Sequence, residues 1–298
     1  MPWVPIAFPI EINGYTLTEH VSTGGMANAY AAKTKDGRKV FFKLYKSPTV
    51  AVKWYPDYLR YMAELNRRVC LPALTRFCVK HIESFEWARG SSKTKTFFQV
   101  FEFVEGGHDL SAILQRAAKR THSLNWQQRL IMAKVFMASI HQLHAQKIVH
   151  GDLKPANVQM LEDTTVTVRY RPLLIDMDFS VLADMKAPWH GDKDHPYVGT
   201  PRYFSPEHLR GQVPQTASDV FTCGNILYEL LAQGHPFPCE DEDGYGKAVL
   251  AGNPPAPRLQ GTLDREESTA RLCSVLRACL AVDPAKRPTA EVVNRALN

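Results

Sequence analysis

The stretch VHGDLKPANV, residues 149–158, carries four chemically distinct side chains close together: His150, Asp152, Lys154 and Asn157. Gly151 and Pro155 are expected to turn the chain sharply between them. A carboxylate, an ammonium and an amide in one loop could accept a proton, neutralise an anion and ligate a hard cation. A solvated surface turn could have the same sequence, so the rest of the chain must decide between the two interpretations.

Further short motifs occur in a fixed order around this stretch. TGGMANAY, FFK and FEFVEGG precede it, and DFS, GTPRYFSPE, SDV and DPAKRP follow it. Each motif is weak alone, but the ordered set resembles a protein kinase catalytic domain over about residues 15–297. The presence of both Lys154 and Thr200 resembles the pattern of the serine/threonine class of protein kinases. The resemblance implies an enzyme that transfers the γ-phosphate of ATP to serine and threonine hydroxyls of protein substrates.

The resemblance gives each polar residue of the loop a role in phosphoryl transfer. This reaction depends on charge neutralisation, alignment of the hydroxyl and exclusion of water more than on covalent catalysis. By the resemblance, Asp152 accepts or orients the proton of the substrate hydroxyl, and Lys154 stabilises the charge of the moving γ-phosphate. Asn157 and Asp178, the aspartate of DFS, hold Mg²⁺, because oxygen ligands suit this hard cation. ATP and Mg²⁺ are therefore the expected cofactors.

Lys43 ends the apolar strand KVFFK. The resemblance places it at the α- and β-phosphates of the nucleotide. Its expected partner is Glu64, the only glutamate in the helix predicted nearby. Arg68 stands in that helix where the family pattern has an apolar residue.

The phosphate-covering loop VSTGGMANAY departs from the family pattern of three glycines. Those glycines would fall at residues 22, 24 and 27, where this chain has Ser22, Gly24 and Ala27, with Gly25 added. Val21 is the first residue of this loop, and the resemblance implies that it contacts the nucleotide. Small residues still let backbone N–H groups approach phosphate, and GGMA resembles bacterial serine/threonine kinases.

The adenine pocket departs from the family pattern as well. Its roof normally pairs a valine with an alanine, and here the two positions hold Ala29 and Phe41, so the large and small residues have exchanged places. Gln159 is a polar residue at the floor, where an apolar residue is usual. The resemblance assigns Phe101 as the gatekeeper residue of this pocket. It assigns the backbone of Glu102 and Val104 as the contacts with the edge of adenine.

Two further contacts support the site without taking part in the chemistry. Glu207 of GTPRYFSPE is expected to form a buried ion pair with Arg287 of DPAKRP. Asp219 of SDV, at a helix start, is expected to accept hydrogen bonds from the backbone of the catalytic loop.

Gly151 occupies the position of an arginine that, in many kinases, pairs with a phosphate on the activation loop. A glycine cannot make that contact. Between Ser180 and Thr200 the only hydroxyl belongs to Tyr197. The sequence therefore predicts a kinase that is active without activation-loop phosphorylation, its loop held by packing of Trp189 and Tyr197, or one controlled by a regulatory protein partner. Relaxation of a tight turn is the alternative reason for glycine here.

The elements that must position these residues form a β-rich part and an α-rich part. Apolar alternation predicts strands at 15–21, 39–45, 81–87 and 96–104. Helical spacing predicts one helix near residues 56–69. Helical periods dominate after Gly106-Gly107, as in WQQRLIMAKVFMASIHQLHAQ, DVFTCGNILYELLAQG, ARLCSVLRACLAV and TAEVVNRALN.

The predicted fold is therefore α+β and protein-kinase-like. It is bilobal, with a small β-rich N-lobe at about 15–104, a hinge at about 102–107 and a larger α-helical C-lobe at about 108–297. The segment MLEDTTVTVRYRPLLID is longer than is usual in the family. Its alternating TVTVRY predicts an extended β-hairpin, either a surface elaboration or a partner site.

Composition excludes several other classes of function. The chain has 298 residues, of which 45% are apolar, enough for a substantial core. Its six cysteines include no C-x-x-C pair, which favours free thiols in a reducing compartment, the cytoplasm. The net charge of +6 is spread along the chain, which argues against nucleic-acid binding. The apolar N-terminus has three prolines and an acid at Glu11, unlike a signal peptide, and no apolar run approaches the ~20 residues needed for membrane insertion.

Two rival functions stay open at the level of sequence. A pseudokinase scaffold is favoured by the departures at Ser22, Ala27, Phe41, Gln159 and DFS, although every charged group that the chemistry needs is present. A small-molecule kinase of the same broad fold is disfavoured by GTPRYFSPE, which resembles a segment that docks peptides.

Overall fold

The structure, a computed structural model, describes residues 7–91, 93–118, 124–163, 170–190, 199–232 and 234–298. The chain divides into two compact units. The first consists of Met1–Glu105 together with Ala187–Trp189, and the second consists of Gly106–Lys186 and His190–Asn298. The fold class is α+β, as predicted, because strands dominate the first unit and helices the second.

The first unit contains a six-stranded antiparallel sheet of order β1-β2-β3-β4-β6-β5. Its strands are β1 (Ile10–Ile12), β2 (Tyr15–Thr23), β3 (Ala27–Lys33), β4 (Lys39–Tyr45), β5 (His81–Trp87) and β6 (Thr96–Glu102). Successive side chains of a strand point to opposite faces of a sheet. One face is an apolar core that includes Tyr30, Phe42 and Phe98. The opposite face therefore carries the intervening residues, among them Lys43.

Helix α1 (Tyr55–Val69) lies between β4 and β5 in the chain. A proline in the first turn is compatible with the start of a helix, and the negative charge of Asp57 interacts favourably with the helix dipole there. The positive charges of two arginines in the last turn interact favourably with the opposite end of the dipole. Its buried side includes Tyr58, Tyr61 and Leu65. The ring of Trp189 packs edge-on against two of these residues, with centroids 5.9 Å from Tyr58 and 5.1 Å from Tyr61.

The second unit is mainly helical. Its helices are α2 (Leu110–Ala118), α3 (Trp126–Ala145), α4 (Pro206–Leu209), α5 (Thr216–Leu231), α6 (Glu242–Ala251), α7 (Glu266–Cys279) and α8 (Ala290–Ala296). A capping box between Asn125 and Gln128 begins α3. Helix α5 is buried over most of its length, so it forms the centre of this unit.

Short strands in the second unit carry the loops of chemical interest. They are β7 (His108–Asp109), β8 (Ile148–Val149), β9 (Val158–Glu162), β10 (Tyr170–Leu174) and β11 (Val181–Leu182). They form a three-stranded sheet, β10-β9-β7, and a two-stranded sheet, β11-β8. The segment predicted as a hairpin contains the antiparallel pair β9 and β10. The stretch TVTVR, on which that prediction rested, lies outside the described residues.

The strands and helices named from the sequence are present, and the β6 strand ends two residues earlier than predicted, at Glu102. The elements that were missed include β1, β3, α2, α4 and α6. Among the described residues, no helix is both long and apolar enough to span a membrane.

Candidate active site

The chain turns sharply between β8 and Asp152. Gly151 has φ of +81°, a backbone conformation that favours glycine. The carboxylate of Asp219 in α5 accepts hydrogen bonds from two backbone N–H groups here, His150 at 2.8 Å and Gly151 at 3.0 Å. Burial alone would raise the pKa of Asp219, but the hydrogen bond and charge of His144 lower it below its ordinary value. The predicted brace from α5 to this loop is therefore confirmed.

Asp152 is buried, and its two carboxylate oxygens have different partners. Oδ1 accepts a hydrogen bond from the backbone N–H of Thr200 at 3.0 Å. Oδ2 lies 3.1 Å from the Lys154 ammonium, which also donates to the Thr200 hydroxyl at 2.7 Å. The structure thus brings the carboxylate and ammonium of the catalytic loop together with a hydroxyl that lies 46 to 48 residues away in the chain.

Asn157 is fixed beside this group. Its amide nitrogen donates to the backbone carbonyl of Asp152 at 2.8 Å, which assigns the other end of the amide as the oxygen. The Ile175 N–H donates to the Asn157 carbonyl at 3.1 Å, so the end of β10 is held next to Asn157. Asp178 follows in a short 3₁₀ turn, Met177–Phe179.

These donors fit a magnesium ion. Mg²⁺ prefers oxygen ligands and usually takes one or two carboxylates together with waters and substrate phosphates. Asn157 offers an amide oxygen whose orientation is set by its bond to the Asp152 carbonyl, and Asp178 offers a carboxylate from the adjacent turn. The role of Asn157 and Asp178 as magnesium ligands stays a prediction.

Ser180 replaces the glycine that usually follows the aspartate and phenylalanine. Its φ of −67° is accessible to any residue, so glycine is not required there. The side chain is fully buried, and its hydroxyl donates to the His150 carbonyl at 3.0 Å. The DFS variant therefore adds a satisfied hydrogen bond to the catalytic loop without strain.

Lys43 occupies the middle of the sheet in the first unit. It pairs with Ala29 on one side and Gln99 on the other, and only 9% of its surface is exposed. Its ammonium lies 5.9 Å from the ring centroid of Phe101, the predicted gatekeeper. Lys43 and Phe101 therefore share one face of the sheet.

Glu64 contacts two arginines of its own helix. Its carboxylate binds Arg67 at 2.7 Å and Arg68 at 2.8 Å. These hydrogen bonds lower the pKa of Glu64 to about 2. The ion pair between Glu64 and Lys43 stays a prediction, and Glu64 would have to exchange arginine contacts to form it. The pairing also accounts for Arg68 at a position where an apolar residue was expected.

The phosphate-covering loop connects β2 and β3. Val21 and Ser22 lie in β2 and are exposed. The Gly24 N–H donates to the Ala27 carbonyl at 2.9 Å and closes the turn, while the Gly24 carbonyl accepts a hydrogen bond from the Lys46 ammonium. A Cβ at Gly24 would lie 3.2 Å from the Ala27 oxygen, whereas one at Gly25 would meet open space.

The two exchanged roof residues are diagonal neighbours in the sheet. Ala29 pairs with Lys43, and Phe41 pairs with Ala31 and Phe101. Diagonal positions on adjacent strands are ~7–8 Å apart, within reach of an aromatic ring. Phe41 can therefore contact the space above Ala29.

We predict that Ala29→Val alone weakens ATP binding, because the added methyl groups overpack against Phe41. Ala29→Val combined with Phe41→Ala should recover binding, with an interaction energy in the range of ~0.5–3 kcal/mol that is usual for neighbours. The measurement is a double-mutant cycle on nucleotide affinity, with the exposed Ala51→Val as control. Strictly additive effects would rule out this coupling.

The remaining residues predicted to contact the nucleotide lie in strands or just after a strand. Glu102 is the last residue of β6, and its N–H donates to the Lys80 carbonyl at 2.9 Å. Val104 follows that strand. Gln159 lies in the second unit, in β9, where it pairs with Asp109 and Leu173. Their contacts with adenine stay predictions.

Two histidines near the catalytic loop were not anticipated from the sequence. His144 lies 2.9 Å from Asp219, and His208 lies 3.1 Å from the Gly151 carbonyl. His144 belongs to a helix with strong apolar spacing, and His208 belongs to a short helix that was missed. No short-range pattern predicts either contact, because each spans more than 50 residues.

The segment GTPRYFSPE is anchored at its end by a buried ion pair. Both Arg287–Glu207 distances are 2.7 Å, and the two side chains are 0% and 3% exposed. Burial opposes the charge of Glu207, but hydrogen bonds and the charge of Arg287 hold its pKa below its ordinary value. The predicted pair is therefore confirmed.

A surface cavity of about 590 Å³ adjoins the catalytic loop within the second unit. Tyr203 of GTPRYFSPE lines it together with Pro155, the neighbour of Lys154. Glu229 and Gln115 form other parts of the wall, and burial raises the pKa of Glu229 to about 7. The cavity therefore joins the wall of the catalytic loop at Pro155 to the segment GTPRYFSPE at Tyr203.

Comparison with known proteins identifies the family. The family model described as the protein kinase domain matches residues 15–296. Serine/threonine-protein kinase A of Synechocystis sp. is 28% identical over 293 residues, which cover 96% of this chain and 53% of that protein. Serine/threonine-protein kinase PkaA of Streptomyces coelicolor is 37% identical over 157 residues, 52% of this chain and 26% of that protein. Calcium/calmodulin-dependent protein kinase type II of Caenorhabditis elegans is 30% identical over 201 residues, 65% of this chain and 25% of that protein.

This chain belongs to the protein kinase domain family. It spans about half the length of the first of these relatives and about a quarter of the other two.

Proposed function

We propose that this chain is a serine/threonine protein kinase that transfers the γ-phosphate of ATP to serine and threonine hydroxyls of protein substrates. The observation that carries the proposal is the group formed by Asp152, Lys154 and Thr200, held together by three hydrogen bonds at the catalytic loop. The names of the relatives support the same activity.

The polar residues of the site divide the tasks of phosphoryl transfer among them. Asp152 orients the substrate hydroxyl and accepts its proton, while its Oδ1 is held by the Thr200 N–H and its Oδ2 contacts the Lys154 ammonium. Lys154 neutralises charge on the transferring phosphoryl group. Asn157 and Asp178 would hold Mg²⁺, which supplies charge neutralisation across the phosphates when bound. Positioning and electrostatics together lower the barrier, as this class of reaction requires.

Most of the nucleotide contacts in this proposal belong to the first unit. Lys43 binds the α- and β-phosphates, and backbone N–H groups around Gly24 and Gly25 approach the phosphates. Phe101 limits the depth of the adenine pocket. Burial of Lys43 to 9% exposure strengthens its attraction for an anion, because less water screens the charge.

Protein substrates are favoured over small molecules by the groove in the second unit. This groove is the cavity described above, which is lined by Tyr203 of GTPRYFSPE and by residues of α2 and α5, and which adjoins the catalytic loop at Pro155. The variant features that suggested a scaffold do not remove a charged group, and Ser180 is accommodated by a hydrogen bond. A cytoplasmic location belongs to the same proposal and is supported by six free cysteines.

The activity test uses γ-labelled ATP, Mg²⁺ and a generic protein substrate. The wild type should label serine and threonine residues, and Lys43→Ala and Asp152→Ala should both abolish labelling, while the exposed Lys247→Ala should not. A wild type that binds ATP without transferring phosphate would indicate a scaffold. Transfer to small hydroxyl compounds but not to protein would indicate a small-molecule kinase.

We also propose that activity does not require phosphorylation of the activation segment. Gly151 has no side chain to pair with a phosphate, and Trp189 packs against Tyr58 and Tyr61 of α1 within the first unit. Packing of this kind can order the segment without an added charge. Tyr197, named from the sequence for the same role, lies outside the described residues. A regulatory protein partner is the alternative means of control.

The test is a kinase preparation treated with phosphatase. Mass spectrometry should confirm that residues 178–207 are unmodified, and activity on a generic protein substrate should persist. Trp189→Ala should then lower activity, because it removes the packing against α1. Activity that vanished on treatment and returned only with phosphorylation of this segment would contradict the proposal.

A further inference from the structure

His208 contacts the catalytic loop from a second direction, in addition to Asp219. It lies in α4, directly after the ion-paired Glu207, and it is 8% exposed. Its Nε2 is 3.1 Å from the carbonyl oxygen of Gly151. The ring is stacked on Phe204, with centroids 5.3 Å apart and planes 16° apart.

The surroundings of the ring determine which nitrogen carries the hydrogen. The backbone N–H of Ser205 donates to Nδ1 at 3.1 Å, and the Ser205 hydroxyl lies 2.8 Å from the same nitrogen. Nδ1 must therefore present its lone pair, and the hydrogen of the neutral ring lies on Nε2. Burial lowers the pKa of His208, which favours this neutral form. His208 thus donates a hydrogen bond to the Gly151 carbonyl.

Both peptide groups of Gly151 are then held. Asp219 accepts from its N–H at 3.0 Å, and His208 donates to its carbonyl at 3.1 Å. That carbonyl belongs to the rigid peptide plane that extends to the Cα of Asp152. The orientation of this plane therefore affects the direction in which the Asp152 side chain leaves the backbone.

The absence of a side chain at Gly151 makes this contact important. Glycine has access to more backbone conformations than any other residue, so the loop needs external restraints on either side of it. Asp219 restrains one side from α5. His208 restrains the other side from just beyond the end of the segment 178–207, through the backbone and without any phosphate.

We propose that His208 is a positioning residue for phosphoryl transfer, whose Nε2–H holds the Gly151–Asp152 peptide and so aims the Asp152 carboxylate. The inference rests on the proposed kinase function. His208 acts through Asp152 and touches neither nucleotide nor substrate in this role.

The experiment compares His208→Leu, which has no donor, with His208→Gln, which can place an amide N–H near the position of Nε2. His208→Leu should lower kcat ~10-fold, which corresponds to ~1.4 kcal/mol, the size of one hydrogen bond. KM for ATP should change less than about twofold, because His208 does not contact the nucleotide. His208→Gln should recover most of kcat, and the control His141→Leu, on α3, should behave as wild type.

A second measurement follows hydrogen exchange of the peptide that contains residues 149–157. Exchange should be faster in His208→Leu and near wild type in His208→Gln. If His208→Leu does not fold, His208→Phe takes its place, since it keeps an aromatic ring against Phe204 but has no N–H.

The possible failures can be told apart. An inactive wild type would contradict the proposed kinase function, and the exchange experiment would still decide whether His208 holds the loop. An active wild type with unchanged kcat in His208→Leu would overturn the positioning role. A loss of thermal stability without a selective fall in kcat, not rescued by glutamine, would also overturn it, because that pattern belongs to a purely structural residue.

Discussion

Asp152→Asn is expected to lower turnover by at least ~100-fold, the usual contribution of a positioned acid or base. Asparagine has nearly the same shape as aspartate, and its Oδ1 can still accept the hydrogen bond from the Thr200 N–H. It cannot take a proton from a substrate hydroxyl, and its amide group removes the negative charge beside Lys154. The effect should therefore fall on the chemical step, with little change in the folded structure.

Single-turnover kinetics with saturating ATP isolates this step from product release. The melting temperature should stay close to that of the wild type. Asp264→Asn is a matched control, because it makes the same change at an exposed position. If Asp152→Asn kept more than a tenth of wild-type activity, Asp152 would not have the assigned role.

The catalytic loop was predictable because its residues lie close together in the chain. Asp152, Lys154 and Asn157 all fall within VHGDLKPANV, so one short motif is enough to predict that they lie together. Asp219 was predictable although its contacts with the loop span 68 and 69 residues, because the family resemblance assigns the acid of SDV to the backbone of the catalytic loop. His208 was not predictable, because its contact with Gly151 depends on tertiary packing.

Some elements were missed because local preference opposes them. The strand β3 has the sequence ANAYAAK, and alanine is a poor strand former. Pairing with β2 and β4 on both sides stabilises it as a strand. Helix α6 contains Gly244 and Gly246, which weaken a helix. Its Tyr245 is 1% exposed and its hydroxyl is bonded to Asn225 and to the Phe204 carbonyl, so tertiary contacts outweigh the glycines.

The contacts of Glu64 could have been anticipated from spacing. Arg67 and Arg68 follow it by three and four residues, and such pairs are neighbours on a helix surface. The family pattern directed attention to Lys43 instead. Whether Glu64 exchanges these partners depends on the position of α1, which sequence patterns do not encode.

Arg287→Met is expected to lower the free energy of unfolding by ~3–5 kcal/mol, the cost of leaving one partner of a buried ion pair alone. The guanidinium binds both oxygens of Glu207 at 2.7 Å and also donates to the backbone carbonyls of Ala281 and Ala217 at 2.8 Å. Methionine keeps most of the side-chain volume, so the loss reflects the missing donors more than a cavity. Urea unfolding would measure the change.

Two further variants separate the ion pair from other effects. Arg295→Met removes an exposed arginine that pairs with Glu291 on the surface of α8, and it should change stability by less than ~0.5 kcal/mol. Glu207→Gln combined with Arg287→Met should be more stable than Arg287→Met alone, because it removes the buried unpaired charge. Equal losses of unfolding free energy in Arg287→Met and Arg295→Met would show that the buried ion pair contributes no more to stability than the exposed one.

The stability loss in Arg287→Met should depend on pH with a definite sign. In the wild type, the folded-state pKa of Glu207 lies below its ordinary value, so its contribution to stability is present above the unfolded pKa and is lost as pH falls through the folded pKa. Without Arg287, burial raises the folded-state pKa of Glu207, and protonation then relieves the buried charge. The difference in unfolding free energy between wild type and variant should therefore narrow as pH falls from about 7 toward ~4, near the ordinary glutamate pKa. A difference that stayed constant over this range would mean that lost packing, and not the unpaired carboxylate, causes the instability.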